Sequence, residues 1–157
     1  MEVQAIGLIR SPFKEPTGTP IQAAVAQGVQ GSVEVYPQFA EGLKDLEGFD
    51  RIWLLYWFHQ GVPAKLIVTP FMDDKPRGVF ATRAPCRPNP IGISPVRLLK
   101  IEGNYLHVAD LDVLDGTPLL DIKPYAPKFD HFDVSRIGWL EAAEHDRRLA
   151  DDRFSRQ

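Results

Sequence analysis

Cys86 is the only cysteine in 157 residues. A lone thiol excludes an internal disulfide and suits a reducing compartment, so a cytoplasmic protein is expected. Long apolar runs are missing as well. The longest, Ile52 to Phe58, is strand-length and far short of the roughly 20 residues that span a bilayer. The N-terminus has no basic stretch leading into an apolar one and a small-residue cleavage site, so no secretory signal is expected. The four histidines, His59, His107, His131 and His145, lack ligand spacing, which argues against a metal site. No Gly-x-Gly-x-x-Gly follows a strand, and no Gly-x-x-x-x-Gly-Lys-Ser/Thr occurs. Rossmann methyltransferases, dehydrogenases and P-loop enzymes are therefore disfavoured. Ser94 has no nucleophile-elbow context and Cys86 no committed His or Asp partner, so neither is expected to be a nucleophile. Nor is there an excess of positive charge: the net charge is -3, which does not by itself announce a nucleic-acid binder.

What is present is the composition of a soluble globular protein, 44% apolar and 25% charged, long enough for one domain with a real core. Strand signals dominate: Val3 to Ile9, Ser32 to Tyr36, Arg51 to Phe58, Lys65 to Thr69, Gly78 to Thr82, Ile93 to Ile101, Tyr105 to Leu111 and Leu119 to Ile122. The bulky Arg51 to Phe58 run reads as a buried central strand, and Gly103-Asn104 as a hairpin turn. Fourteen prolines and twelve glycines break up long helices. Leu43 to Leu46 suits one helical turn, and Ile137 to Leu149 is the one helix the pattern supports, with Trp139, Leu140, Ala142 and Ala143 on its apolar side. The expectation is an all-β domain, a single barrel or strongly curved sheet over residues 1–140, with a short helical appendage and tail over 141–157.

The segment from Phe80 to Ser94, Phe-Ala-Thr-Arg-Ala-Pro-Cys-Arg-Pro-Asn-Pro-Ile-Gly-Ile-Ser, carries the chemistry. Its prolines fix φ and push the preceding residues into extended conformations. That predicts a rigid, non-helical loop presenting guanidinium and carboxamide groups in set directions. A stiff connector is the alternative, but a connector does not need Thr82, Arg83, Arg87 and Asn89 together. From Lys75 to Ile101 there are six basic residues, Lys75, Arg77, Arg83, Arg87, Arg97 and Lys100, and no Asp or Glu. Such a stretch suits an anionic or phosphate-bearing ligand, unless neighbours in space balance it. Three further clusters stand out. His59-Gln60-Gly61 leaves the aromatic run where a pocket would open, or merely caps the strand. Asp112 to Thr117, with Asp115-Gly116, is a turn whose carboxylates suit a ribose or an ammonium group. Thr19-Pro20-Ile21-Gln22 is a loop with an exposed amide.

Four segments in order, Gly7 to Lys14, Ile52 to Gln60, Gly78 to Ser94 and Leu111 to Tyr125, resemble the TsaA-like family of TrmO-type tRNA methyltransferases. The Arg-Pro-Asn-Pro-Ile-Gly core and the Asp-Gly-Thr-Pro turn are the strongest parts of the resemblance. It implies a β-barrel enzyme without a Rossmann fold that uses S-adenosylmethionine. Such enzymes methylate the exocyclic nitrogen of threonylcarbamoyladenosine at position 37 of tRNA, and act as homodimers with the cofactor near the interface. Carried over by motif, cofactor contacts fall at Pro20, Ile21 and Gln22, at His59 and Gln60, at Arg83, Arg87, Asn89, Pro90 and Ile93, and at Asp112, Leu114, Asp115, Gly116 and Thr117. Arg83 and Arg87 suit a bidentate grip on the cofactor carboxylate or a tRNA phosphate, and Asn89 an adenine edge. The acceptor nitrogen belongs to a ureido group and is a poor nucleophile, so a base is wanted, with His59 and Asp115 as candidates. The anticodon loop would meet Lys75, Arg77, Arg83, Arg87, Arg97 and Lys100. Two other readings stand beside this one. One keeps the cofactor but changes the acceptor to another RNA or a small molecule. The other is a non-catalytic β-barrel binding module.

Overall fold

The computed structural model describes residues 2–143 and 149–155. Six strands close into a barrel: β1 (Gly7–Arg10), β2 (Gln30–Val35), β3 (Arg51–Trp57), β6 (Ile91–Glu102), β7 (Tyr105–Ala109) and β8 (Thr117–Pro124). The circuit runs β1-β2-β7-β6-β3-β8 and returns to β1, with every pairing antiparallel. Two short strands, β4 (Ile67–Val68) and β5 (Arg77–Gly78), form a separate ribbon. Closure removes the exposed edges of an open sheet. No helix among the described residues is long and apolar enough to cross a membrane.

The strand alternation sets the core. Ile9, Val33, Val35, Ile52, Leu54, Val96, Leu106, Val108 and Leu119 point inward, joined by Leu111 and Val113 from the segment after β7. The Arg51 to Phe58 run is central, paired to β6 and β8, but only one of its faces is buried. Trp53 and Trp57 lie on the outer face, since a closed barrel buries one side of each strand. A β-bulge beside Tyr56 in the β3–β8 pairing and another beside Leu99 in the β6–β7 pairing help curve the sheet. The Gly103-Asn104 turn joins β6 and β7, with Gly103 at φ +61°.

Strand β7 covers only the second half of β6, from Arg97 to Glu102. Pro95 lies in the uncovered half, where its missing N–H breaks no ladder. Beside that half runs the chain after β7, fixed by a buried knot. Asp110, at φ +64°, accepts the Gly28 N–H on Oδ1 at 2.9 Å and the Arg51 guanidinium on Oδ2 at 2.9 Å, with Arg97 at 3.5 Å. Arg51 also donates to the Pro95 carbonyl at 2.9 Å.

Two helical expectations change. The helix predicted over Ile137 to Leu149 is, in the described residues, a 3-10 turn over Gly138–Ala142. Ala143 is already extended, Leu140 is exposed, and residues 144–148 lie outside the described ones. Gly138, at φ +63°, and the shortness of the apolar stripe leave no face long enough to hold a regular helix. The turn expected at Leu43 to Leu46 is split into Pro37–Leu43 and Leu46–Gly48 by left-handed Asp45 at φ +65°. Strand Gly78 to Thr82 shrinks likewise: pairing stops at Gly78 and a 3-10 turn, Val79–Ala81, follows.

Gly92 is where the barrel interior tolerates no side chain. A Cβ there would overlap the Tyr56 ring and press on Phe58. Gly92→Ala is therefore expected to displace Tyr56 and cost about 1–3 kcal/mol, measured by denaturant or thermal unfolding, whereas Gly42→Ala, whose Cβ would meet nothing, should not.

Candidate functional site

The barrel interior turns polar at one mouth. Tyr56 on β3 and Ser94 on β6 keep the inward parity of their strands, and Thr117 opens β8 on the same side. The Tyr56 hydroxyl lies 3.0 Å from Ser94 Oγ, and Ser94 Oγ donates to Asp112 Oδ1 at 2.6 Å. Because Ser94 donates to the carboxylate, its oxygen is left to accept from Tyr56, which fixes a chain of donors ending on Asp112. Burial pushes the Asp112 carboxyl up to about 6, although the Ser94 hydrogen bond, its own backbone N–H and the nearby Arg83 charge all pull the other way. Burial, helped by the Asp112 charge, also raises the Tyr56 hydroxyl far above its usual range, so it stays a donor.

Asp112 lines a cavity of about 280 Å³, close to the size of small-molecule sites. On the barrel side the walls are Tyr56, Phe58, Ile91, Gly92, Ile93, Val113, Leu114 and Thr117. His59 and Gln60, at the exit of β3, also line it. The His59 ring meets Thr117 Oγ1 through Nδ1 at 3.3 Å. Across from the barrel residues stand loop residues Pro20, Ile21 and Gln22, with Arg83 and Arg87.

Most of the predicted site residues therefore meet in one place: Pro20, Ile21, Gln22, His59, Gln60, Arg83, Arg87, Ile93, Asp112, Leu114 and Thr117. Asn89, Pro90, Asp115 and Gly116 are not among the lining residues. Asn89 is exposed, and Pro90 uses its carbonyl to accept the Phe58 N–H. Gly116 sits at φ +72° in the turn and donates to the Ile9 carbonyl. Asp115 is occupied locally: Oδ1 accepts the Ser11 N–H at 3.1 Å and Oδ2 pairs with Lys14 at 2.7 Å. Lys14 above all, with the Ser11 N–H, holds its carboxyl below the usual range, the opposite of what a base needs.

The two arginines of the loop have different partners. Arg83 reaches across to Gln22, donating through Nη1 to Oε1 at 2.8 Å. Arg87 turns back on its own loop, and its Nη1 donates to the carbonyls of Thr82 at 2.8 Å and Val79 at 3.1 Å. It is thus a staple as well as a wall residue. Beneath it a second apolar cluster, Val68, Val79, Ala84, Cys86 and Phe154, supports the loop. Cys86 is fully buried there, and burial pushes its thiol up, which fits an inert packing role.

The expected basic patch is divided. Arg77 pairs with Asp73, Arg97 with Asp110 and Lys100 with Glu102. Three of the six charges are thus met by carboxylates outside the Lys75 to Ile101 window. Arg83 and Arg87 remain at the cavity, and Lys75 is exposed. Of the further site residues, Tyr56 and Phe58 belong to the aromatic run expected beside the His59 pocket, whereas Ser94 stands in no nucleophile context and Phe71 in no motif. The alternation of β3 and β6 places Tyr56 and Ser94 inside, so their parity was the available signal. Wall residues Ala150, Asp151 and Phe154 had no signal at all.

The family model of the tRNA-methyltransferase O N-terminal domain matches residues 8–131. A "probable S-adenosyl-L-methionine-binding protein" of Pyrococcus abyssi is 57% identical over 147 residues, covering 94% of this chain and 80% of its own. The Escherichia coli tRNA (adenine(37)-N6)-methyltransferase is 37% identical over 152 residues, covering 90% of this chain and 65% of the enzyme. The crystal structure of TrmO from Pseudomonas aeruginosa superposes with a TM-score of 0.74 at 42% identity, over 88% of this chain and 62% of that one. The chain thus spans less than two thirds of these bacterial proteins, and 40% of an Archaeoglobus fulgidus relative. The barrel, the ordered motifs and these matches together establish that the chain belongs to the family defined by the tRNA-methyltransferase O N-terminal domain.

Proposed function

We propose that this protein is an S-adenosylmethionine-dependent methyltransferase acting on the exocyclic nitrogen of threonylcarbamoyladenosine at position 37 of tRNA. The observation that carries the reading is Asp112, a part-buried carboxylate in the wall of a ligand-sized cavity, with Arg83 close enough to influence it. The names of the relatives point the same way, toward S-adenosylmethionine for the Pyrococcus protein and adenine 37 of tRNA for the Escherichia coli enzyme.

The side chains present fit the cofactor. Asp112 complements a sulfonium or α-ammonium charge, and Arg83 suits a carboxylate. The Gln22 and Gln60 amides suit an adenine edge, and the Phe58 and Phe71 rings offer apolar or cation-facing surface. When bound, the cofactor supplies an electrophilic methyl group for in-line displacement. The chain's part is to orient the reactants and exclude water. Of the two candidate bases, His59 stands at the cavity. In the tautomer that donates Nδ1–H to Thr117 Oγ1, the ring lone pair lies on Nε2, the atom we assign to the acceptor's proton. Asp115 holds the Ser11–Lys14 turn instead. We place the anticodon loop against the Arg83–Arg87 side of the cavity, in a cytoplasmic homodimer.

Nucleoside mass spectrometry of tRNA from a strain lacking the endogenous activity, complemented by this chain, should restore the methylated threonylcarbamoyladenosine. Its continued absence, with the chain expressed and folded, would remove the proposal. Substituting Asp112→Asn keeps the shape and the acceptor for Ser94 but removes the charge. Calorimetry should show S-adenosylmethionine bound about tenfold more weakly. Because the carboxyl is raised to about 6, the parent's affinity should fall as pH drops below 6, and the variant's profile should be flat. Stability runs the other way. Raising a carboxyl above its unfolded value costs the fold progressively as pH rises from about 4 to 6, so the variant should melt no lower than the parent at pH 7.

A further inference from the structure

The barrel builds only one side of the cavity. The other side is drawn from Pro16, Thr19 to Gln22, Phe71 and the arginine loop, which lie outside the barrel strands. The chain's last described segment, residues 149–155, reaches all of these parts. Leu149 bridges Pro20, and Ala150 exchanges two backbone hydrogen bonds with the same loop, its N–H to Thr19 and its carbonyl from Gly18, each 2.8 Å. A 3-10 turn, Asp152–Phe154, follows, capped by the Asp151 carboxylate on the Arg153 N–H. Arg153 then donates to the Pro70 carbonyl at 2.7 Å, with its guanidinium 5.4 Å from the Phe71 ring centre. Phe154 is 9% exposed, packs edge-on against Phe71 at 5.0 Å, and enters the cluster of Val68, Val79, Ala84 and Cys86 under the arginine loop.

Ala150, Asp151 and Phe154 themselves line the cavity. One short segment therefore ties the loop carrying Gln22, the Phe71 turn and the support of Arg83 and Arg87, and supplies wall atoms as well. All of it lies beyond residue 131, where the family match ends. A strap that merely decorated the surface would not bury a phenylalanine between three separate segments, nor add two ladder bonds to a cavity loop.

We infer that residues 149–155 are a working wall of the cofactor site and that Phe154 and Arg153 hold the loop side of the cavity at the spacing the ligand needs. This rests on the cofactor reading above. Phe154 acts by contact and by positioning Phe71. Arg153 acts by position alone, through its ion pair with the wall residue Asp151 at 2.8 Å and through Pro70 and Phe71. The binding determinants of this chain thus extend past the matched domain, and the strap tunes cofactor affinity rather than the chemical step.

Calorimetry with S-adenosylmethionine and steady-state methylation of tRNA on the full chain test this. Phe154→Ala should weaken binding about tenfold or more and raise KM for the cofactor, with kcat at saturation changed less than about threefold. Phe154→Leu should recover most of the affinity. Arg153→Ala, which opens no hole in the cluster, should shift affinity in the same direction by about threefold or more, and it decides the matter if Phe154→Ala fails to fold. Parent-like affinity in Arg153→Ala together with parent-like affinity or unfolding in Phe154→Ala overturns the inference and leaves the cofactor reading standing. A parent chain that binds no S-adenosylmethionine overturns both.

Discussion

Asp110 is the constraint on which the site depends. Its left-handed backbone costs of order 1 kcal/mol for a residue with a Cβ, and three contacts offset that cost. The Gly28 N–H ties it to the chain before β2, Arg51 to β3 and Arg97 to β6. Burial alone would raise its carboxyl, but these donors outweigh burial and hold it below the usual range. Its contribution is therefore present above the ordinary carboxylate range and fades as acid protonates it. What the knot secures is direction. It turns the chain out of β7 and brings Asp112 to the half of β6 that β7 leaves uncovered, where it meets Ser94.

From that placement the polar mouth follows. A barrel filled by Ile, Leu and Val has no room for an unsatisfied hydroxyl or carboxylate. Among the described residues no buried side-chain polar atom lacks a partner. The Tyr56–Ser94–Asp112 chain meets this requirement by handing each donor to the next acceptor, ending on a carboxylate that lines the cavity. Gly92 is part of the same arrangement, since the Tyr56 ring occupies the space its side chain would take. Asp110 and Asp112, two residues apart, are thereby driven in opposite directions. The first is held below the usual carboxylate range and is structural, the second is raised to about 6 and faces the cavity.

The barrel was legible because its strands are short β-branched and aromatic runs between turn signals, alternating in Ser32 to Tyr36, whereas the unbroken apolar run Ile52 to Trp57 did not show which face is buried. The hairpin at Gly103-Asn104 followed from turn chemistry alone. Strand ends were less legible, since pairing partners rather than composition decide them, as in β6, which begins at Ile91 on the far side of three prolines. In the site, motif position brought Gln22, His59, Arg83 and Asp112 together. It could not separate Asp112 from Asp115, which sit in one turn signal and differ only in what surrounds them: Ser94 and the cavity for one, Lys14 for the other. Charge balance was only partly legible: Asp73 and Glu102 lie four and two residues from Arg77 and Lys100, whereas Asp110 meets Arg51 and Arg97 through the fold. Phe154 was beyond reach, being a lone aromatic in a charged tail whose burial depends on segments some 70 to 90 residues away.

The site turns on one ionisable group at the barrel mouth, so the most direct measurement is a carbon-13 NMR titration of the Asp112 carboxyl, with and without S-adenosylmethionine. The free protein should give a midpoint of about 6, moving down when the cationic cofactor binds. A midpoint in the ordinary aspartate range near 4, unmoved by the cofactor, would contradict it.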